Sequence, residues 1–290
     1  MKEIHGSGVA LITCFNNDLS IDYDSMDKLL SYVIKGGIDY LVLLGTTGES
    51  VTLSKKEKSD LVKFVRRKYS KIPIVIGIGG NSTINIIQEI NETDFDGIDA
   101  ILSVSPYYNK PSQEGIYNHY KMIAKLSPKP LILYNVPSRT GSNISSQTTL
   151  RLAHDFENIV AIKEASGNLD QIMSILKDKP DNFTVLSGDD SLTLPMIYMG
   201  AKGVISVIGQ LFPQEYTKMV HEALNNNIDK ANSIHYNLYQ LYEPLYEEGN
   251  PVGIKAALNV KDICNLVVRP PLINASKEIV DQFKSLLHNK

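Results

Sequence analysis

The chain has 290 residues, of which 43% are hydrophobic and 21% are charged, and this composition predicts a soluble globular protein with a sizeable core. Its 29 Lys and Arg residues against 32 Asp and Glu residues give a formal net charge of -3, so no basic surplus favours nucleic acid or an anionic membrane surface as a partner. No apolar run approaches the roughly 18 residues of a membrane span, so the sequence predicts no transmembrane helix.

Two further features bear on where the protein works. Residues 1–6 lack the apolar core of a signal peptide. The only cysteines, Cys14 and Cys264, lie far apart in the sequence without metal-ligand spacing, so we expect them to pack as small hydrophobic side chains. Both features favour a reducing, cytoplasmic location.

Short apolar strands alternate with helical patterns through most of the chain. Glycine-containing turns recur between them: Gly36-Gly37 is echoed at Asp96-Gly97 and more loosely at Gly200, each placed to end a helix before the next strand. The predicted strands are 9–13, 40–44, 74–78, one within 96–102, 131–134, 159–162, 183–186 and 203–206. The predicted helices are 22–35, 54–68 (with a capping box), 82–93, 113–126, 146–156, 169–177, 191–199 and one from Pro213.

Eight strictly alternating strand–helix units predict an α/β fold of the (β/α)8 TIM-barrel type. A doubly wound sheet is the alternative, but no Gly-x-Gly-x-x-Gly follows the first strand. Beyond about residue 225 the strands stop, and 231–247, 251–260 and 277–288 read as helices. We therefore predict a catalytic barrel at 1–225 and a C-terminal helical domain at 226–290.

A lysine ends the sixth predicted strand. The β-branched apolar run 159–162 leads directly into Lys163, where an ammonium would be costly to bury without a partner. Burial favours the neutral amine, and a neutral amine is a nucleophile towards a carbonyl carbon, so one reading is a Schiff-base lysine. The other reading is a side chain that extends along the strand end to solvent.

Hydroxyls, phenols and glycine-rich turns follow the other strands, where barrel enzymes place their catalytic groups. The turn Gly45-Thr46-Thr47-Gly48 could direct backbone N–H groups and two hydroxyls at a carboxylate, although such turns also cap helices. Arg139 could bind a second carboxylate bidentately or form a surface ion pair. Tyr107, Tyr108 and Tyr134 supply phenols that could equally be packing residues. No His, Cys, Asp or Glu set has metal spacing, so we predict no metal site.

Together these residues resemble the lysine-dependent class I aldolase superfamily, which includes the dihydrodipicolinate synthases and the N-acetylneuraminate lyases. The resemblance covers essentially the whole chain. The segments 45–50 and 160–167 resemble the carboxylate loop and the Schiff-base strand of the superfamily. The segments 105–115 and 134–141 resemble the synthase branch, because the lyases usually lack the arginine found here as Arg139.

The resemblance implies a condensation of pyruvate with L-aspartate 4-semialdehyde through an imine on Lys163, without cofactor, at the first committed step of diaminopimelate and lysine biosynthesis. It implies four catalytic residues: Lys163, and Tyr134, Thr46 and Tyr108 as a proton relay in which Tyr134 lies nearest the imine. It implies four substrate-binding residues: Thr47, which holds the pyruvate carboxylate together with Thr46, the Ile205 backbone and Gly188 in the same pocket, and Arg139 for the carboxylate of the aldehyde. Tyr108 is expected to come from a neighbouring subunit, which makes the enzyme a homodimer or a homotetramer.

One group of residues departs from the family pattern. Lysine-inhibited members bind L-lysine at a dimer-interface pocket whose positions correspond here to Ser50, Lys55, Lys58, Asn81, Asn85 and Tyr107. Two lysines replace histidines and an asparagine replaces a glutamate, so a cationic ligand would meet like charges and lose a carboxylate. We therefore expect weak or no inhibition by L-lysine. The alternatives are another pyruvate-dependent aldolase or lyase, for a sugar acid or N-acetylneuraminate, and a non-catalytic keto-acid sensor.

Overall fold

A computed structural model describes residues 4–288, and its centre is a closed barrel of eight parallel strands in sequential order. The predicted TIM barrel is confirmed. The strands are β1 Gly6–Ala10, β2 Tyr40–Leu43, β3 Ile74–Gly77, β4 Ala100–Val104, β5 Leu131–Asn135, β6 Ile159–Glu164, β7 Thr184–Ser187 and β8 Gly203–Ser206.

Helices follow every strand and then continue alone to the end of the described chain. Those of the barrel are α1 Tyr23–Lys35, α2 Lys55–Lys68, α3 Thr83–Glu92, α4 Gln113–Leu126, α5 Pro137–Thr140, α6 Ser146–Asp155, α7 Leu169–Asp178, α8 Thr193–Met199 and α9 Pro213–Leu224. The remaining helices are α10 Ile228–Leu238, α11 Pro244–Glu247, α12 Val252–Val260 and α13 Lys277–His288. Short 3-10 turns lie at Ser50–Thr52, Ile208–Gln210 and Tyr239–Leu241.

The core has two layers because alternate residues of each strand face opposite sides. Residues that point inward, such as Val42, Leu102 and Leu186, fill the barrel. Residues that point outward, such as Leu41 and Ile101, pack against the ring of helices. Both faces of each strand are therefore largely buried, and the sequence of each strand is mostly apolar.

Side-chain caps and glycine turns fix the helix ends. Ser54 and Glu57 form the predicted capping box of α2. Gly36 ends α1, and Gly37 follows with a φ of +88°, a backbone conformation that favours glycine. These local signals explain why most helices begin and end within a residue or two of their predicted bounds.

The structure corrects two predicted elements. The first strand is Gly6–Ala10 rather than 9–13, because residues 11–13 already belong to the loop at the mouth of the barrel. The predicted helix 231–247 is broken into α10, a 3-10 turn and α11, with Pro244 at the first position of α11. Proline cannot continue a helix from within, so the chain restarts there.

The C-terminal helices pack on the barrel and on one another, with α10 against α9 and α13 against α12. The boundary near residue 225 stays a prediction, and residues 1–3 and 289–290 of the two predicted domains lie outside the described residues. Cys14 and Cys264 come together in the buried contact between barrel and appendage, where a hydrogen bond with Cys264 and burial raise the pKa of the Cys14 thiol. Across residues 4–288, no helix has the length and apolarity that crossing a bilayer requires.

Candidate active site

Strands β5 and β6 place two pairs of polar residues side by side at the mouth of the barrel. In their parallel register Tyr134 pairs with Lys163, and Asn135 pairs with Glu164. Because side chains alternate along a strand, the first pair points into the barrel and the second points towards the helices. One strand pairing therefore builds both the reactive pair and its support.

A one-residue bulge in β6 determines which side chains face inward. The register between β5 and β6 shifts after Leu131, which leaves Val160 as an extra residue in β6. Val160 and Ala161 consequently both pack against the interior of the barrel. Since one extra residue inverts the facing of every later side chain, the bulge directs Lys163 inward.

Lys163 is a buried amine without a charged partner. It is 6% exposed, which excludes the solvent-exposed reading, and its Nζ lies 4.3 Å from the centre of the Tyr134 ring. It forms no ion pair with any residue in the range 4–288. The amine is therefore sheltered from water and open to an electrophile that enters the barrel mouth.

Glycine is required beside this lysine. A Cβ built on Gly188 would lie 3.0 Å from Cε of Lys163 and 2.7 Å from Cβ of Ala165. Real Cβ atoms do not make the 2.7 Å contact, so a larger residue at position 188 requires Ala165 or the backbone to shift. The 3.0 Å contact requires the Lys163 side chain to shift by a few tenths of an ångström. Gly188 thus leaves the space that Ala165 and the Lys163 side chain occupy on the β7 side.

The outward-facing pair forms a buried polar network behind the site. Asn135 Nδ2 donates to both Glu164 carboxylate oxygens, at 3.0 and 3.2 Å. The Ser166 N–H and the Gln171 amide also donate to this carboxylate, at 2.9 and 3.2 Å. Burial raises the pKa of Glu164, and these hydrogen bonds oppose the rise. The network fixes the ends of β5 and β6, and with them Tyr134 and Lys163.

The loop after β2 is held by the barrel on one side and by the C-terminal helices on the other. Thr13 Oγ1 donates to the Gly48 carbonyl at 2.7 Å, and Asn250 Nδ2 donates to Thr47 Oγ1 at 3.0 Å. Thr47 is 3% exposed, whereas Thr46 is solvent-exposed at the rim. No hydrogen bond joins Thr46 to Tyr134 within the described part of the chain.

A buried ion pair anchors the end of the same loop. Glu49 has a φ of 52°, and its Oε1 accepts from Nζ of Lys255 at 2.6 Å, both side chains being almost fully buried. Glu49 Oε2 accepts from the Arg269 N–H at 2.8 Å, and Lys255 also donates to the Val267 carbonyl at 2.7 Å. Every charge of the pair is thus hydrogen-bonded, as a buried pair requires.

Arg139 lies on the short helix α5, directly after β5. Its side chain is exposed and forms no ion pair in residues 4–288, so the alternative of a surface ion pair does not hold. The residue lines the barrel mouth and also a neighbouring cavity. An unpaired guanidinium in this position is free to bind a carboxylate.

These side chains surround a cavity of about 220 Å³ at the C-terminal ends of the strands. Six of the eight predicted catalytic and substrate-binding residues line it, namely Thr46, Thr47, Tyr134, Arg139, Lys163 and Gly188. Ile205 does not line the cavity: it packs inside the barrel, and Val207 lines the cavity instead. Tyr108 is absent from the cavity of its own chain and is 88% exposed.

Sequence reasoning missed what the C-terminal helices contribute. Tyr246 and Asn250 line the cavity, and Lys255 completes the buried ion pair. The sequence did carry a signal for Lys255, because a lysine within the apolar stretch 252–258 is unusual. In the structure every residue of this stretch is buried. No local pattern marks Asn250, whose partner Thr47 lies 203 positions earlier.

The six residues at the predicted L-lysine positions divide into two groups. Ser50, Lys58 and Tyr107 line a second cavity of about 300 Å³ that adjoins the barrel mouth. Lys55, Asn81 and Asn85 do not line it. Lys58 Nζ lies 3.0 Å from Oε1 of Glu89, which lines the same cavity.

The structure and the cavity define a (β/α)8-barrel enzyme built around a buried, unpaired lysine. Within residues 4–288, no group of three or more His, Cys, Asp and Glu side chains is placed to hold a metal ion.

Comparison with known proteins identifies the family. Residues 3–290 match the Dihydrodipicolinate synthetase family. The chain is 52% identical to the 4-hydroxy-tetrahydrodipicolinate synthase of Azobacteroides pseudotrichonymphae over 98% of this chain and 96% of that protein. The chain therefore belongs to the dihydrodipicolinate synthetase family and is an enzyme of the lyase class.

Solved structures agree over nearly the full length. The dihydrodipicolinate synthase of Aquifex aeolicus superposes with a TM-score of 0.95 at 40% identity, covering 99% of this chain and 98% of that chain. A structure described as the first monomeric dihydrodipicolinate synthase variant gives a TM-score of 0.95 at 36% identity, covering 98% and 96% of the two chains.

We predict that Gly188→Ala lowers turnover by about 10-fold, because the Lys163 side chain must shift by a few tenths of an ångström and a shift of roughly 1 Å in a reacting group costs about 100-fold. Circular dichroism should show a retained fold. Gly80→Ala is the matched control, since its added Cβ would meet only Ile86, at an ordinary 3.9 Å. Wild-type turnover in the Gly188→Ala enzyme would show that the close contact with Lys163 has no functional role.

Proposed function

We propose that this chain condenses pyruvate with L-aspartate 4-semialdehyde to give 4-hydroxy-tetrahydrodipicolinate. The observation that carries the proposal is Lys163: a buried amine without an ion pair, beside the Tyr134 phenol, in a cavity that also holds Thr47 and Arg139. The relatives named as 4-hydroxy-tetrahydrodipicolinate synthases support it.

Both substrates carry a carboxylate, and the cavity offers two places to bind one. The turn that contains Thr47 presents hydroxyl and backbone donors on one side, and the unpaired Arg139 guanidinium lies on the other. We assign the pyruvate carboxylate to the threonine turn and the aldehyde carboxylate to Arg139.

The first half of the reaction activates pyruvate. Nζ of Lys163 adds to the keto carbon, and loss of water leaves a protonated imine. Tyr134, whose ring lies next to the amine, moves the protons in these steps. Loss of a proton from C3 then gives an enamine. Because the protonated imine accepts the electron pair, this mechanism requires no metal and no organic cofactor.

The second half joins the two substrates. C3 of the enamine attacks the aldehyde carbon, whose oxygen takes a proton to become a hydroxyl. The amino group of the former aldehyde then adds to the regenerated imine carbon and displaces Nζ of Lys163, which closes the ring and frees the enzyme. The bond between Nζ of Lys163 and the substrate carbon is thus formed and broken again within one catalytic cycle.

Reduction of the intermediate tests this function. Borohydride added with pyruvate should leave a reduced pyruvyl adduct on Lys163, located by peptide mass spectrometry. Lys163→Ala should lose the adduct and lose turnover by roughly a thousandfold or more, because no covalent intermediate can form. Lys202→Ala, at the opposite end of the barrel, is the control. A well-folded wild-type enzyme without an adduct contradicts the proposal and favours a keto-acid sensor, while turnover of a sugar acid instead would favour a different aldolase.

We also propose that Tyr108 completes the site of a neighbouring subunit in a homodimer or homotetramer. Tyr108 lies on the loop between β4 and α4 with a φ of 76°, a conformation that is unfavourable for a bulky residue, and it is exposed and does not line the cavity of its own chain. Exposed Val51 and neighbouring Tyr107 line the adjoining cavity, which gives this face an apolar character suited to a partner. A cytoplasmic location stays a prediction.

Mixed oligomers test whether Tyr108 acts in the active site of the neighbouring subunit. Chains carrying Lys163→Ala and chains carrying Tyr108→Phe are mixed in equal amounts after dissociation. If Tyr108 acts in the neighbouring subunit, half of the dimers are mixed and each contains one intact site, so turnover should recover to about a quarter of the wild-type value. If both residues act within one chain, the mixture stays at the mean of the two variants alone.

We further propose that L-lysine inhibits this enzyme weakly or not at all. Lys58 already places an ammonium 3.0 Å from the Glu89 carboxylate in the second cavity. The Glu89 carboxylate is therefore already paired with the Lys58 ammonium and is not free to bind a cationic ligand. The ammonium of a bound L-lysine would also be repelled by Lys58.

Initial rates with and without millimolar L-lysine test this proposal, and they should agree within experimental error. The triple variant Lys55→His, Lys58→His and Asn85→Glu serves as the comparison, because it removes two cations and adds a carboxylate; we expect it to gain measurable inhibition. Strong inhibition of the wild-type enzyme by millimolar lysine would overturn the proposal.

A further inference from the structure

The C-terminal helices reach the substrate cavity through one polar contact. Asn250, between α11 and α12, lines the cavity and donates from Nδ2 to Thr47 Oγ1 at 3.0 Å. Its other polar atom, Oδ1, is buried and has no hydrogen-bond partner within residues 4–288. Leaving a buried oxygen without a partner destabilises the folded chain, so packing alone does not account for an asparagine at this position.

The contact determines what the Thr47 hydroxyl can do. A hydroxyl has one proton to donate and two lone pairs to accept with. Because the Asn250 amide supplies a proton to one lone pair, the hydroxyl's own proton is free to be donated. An acceptor at position 250 would instead take that proton, and Thr47 would present only lone pairs to an incoming anion.

Asn250 is held in place independently of Thr47. Five residues later, Lys255 is fixed by Glu49 at 2.6 Å and by the Val267 carbonyl at 2.7 Å. Glu49 lies two residues after Thr47, so the loop after β2 and the start of α12 are joined at two points. The position of the amide relative to the hydroxyl is therefore set by the buried ion pair.

We propose that Asn250 is a positioning residue for the carboxylate of the first substrate, acting through Thr47. Its amide keeps the Thr47 hydroxyl oriented as a donor, so that a charge-assisted hydrogen bond forms when the 2-oxo acid enters. The inference rests on the proposed function, because it assigns the pyruvate carboxylate to this threonine. It gives the C-terminal helices a direct part in substrate binding.

The test measures pyruvate binding apart from turnover. The half-saturating pyruvate concentration for borohydride-trapped adduct reports the first substrate alone, and KM values for both substrates report the complete reaction. Asn250→Ala should raise the half-saturating concentration and the pyruvate KM about 5-fold, the value of one neutral hydrogen bond, because Thr47 keeps its proton but loses the amide that orients its hydroxyl. The KM of the aldehyde should change little.

Asn250→Asp keeps the shape of the side chain and reverses its hydrogen bonding. It should raise the pyruvate KM about 100-fold or more, because Thr47 then donates to the new carboxylate, whose charge also repels the substrate. Since this variant is isosteric, it tests the inference even if Asn250→Ala is too unstable to study. Asn158→Asp is the matched control: it removes an amide that donates to the Ala124 carbonyl at 2.7 Å before β6, at the opposite end of the barrel, and should leave pyruvate binding unchanged.

A double-mutant cycle shows whether Asn250 acts through Thr47. The pair Thr47→Val and Asn250→Ala should bind pyruvate no more weakly than Thr47→Val alone. If the two substitutions weaken pyruvate binding independently, so that their fold-changes multiply in the double variant, the inference is wrong. It is also wrong if variants of Asn250 lower Tm but leave pyruvate binding unchanged. Failure of the proposed function is distinguishable, because the wild-type enzyme itself would then trap no pyruvate.

Discussion

The hydrogen-bonded pairing of β5 with β6 is the interaction on which the site depends. The backbone hydrogen bonds between the parallel strands place Tyr134 beside Lys163, so the two side chains need no strong interaction of their own to stay adjacent. The extra residue Val160 then decides which face of β6 looks into the barrel. On the other face, Asn135 and Glu164 close a polar network that prevents the two strand ends from separating. Reactive groups and their support thus alternate along the same two strands.

The ion pair of Glu49 with Lys255 plays the corresponding part between the barrel and the C-terminal helices. Burial lowers the pKa of Lys255, and the Glu49 carboxylate opposes that effect. A buried pair of this kind adds little net stability compared with apolar residues, but losing one partner costs roughly 3–5 kcal/mol because a bare charge remains. The observed docking of the helices satisfies both charges and also brings Asn250 to Thr47, so the pair contributes more to the position of the helices than to net stability.

Local patterns predicted the barrel and the residues that each strand end contributes. Lys163 could be found because a charged residue at the end of a buried apolar strand stands out against its neighbours. Arg139 could be found because it follows shortly after the end of β5, where barrel enzymes place their binding groups. The break at Pro244 was missed, because the helix was predicted to run unbroken over 231–247 although proline cannot lie inside a helix. Asn250 could not be found in this way. Its significance lies in a hydrogen bond to Thr47, and a contact across 203 positions leaves no periodicity in the sequence.

The loop after β2 forms hydrogen bonds with residues that lie more than 200 positions later in the sequence, and this separation affects the order in which the protein folds during synthesis. The loop that holds Thr47 is made early in synthesis, yet Glu49 receives its last two donors from Lys255 and from the backbone of Arg269. Chains are made from the N-terminus, so the strands of the barrel are available to pair long before these donors leave the ribosome. The loop after β2 therefore acquires its final hydrogen bonds only when the C-terminal part of the chain has been made, and a product that ends before Lys255 lacks both of these donors to Glu49.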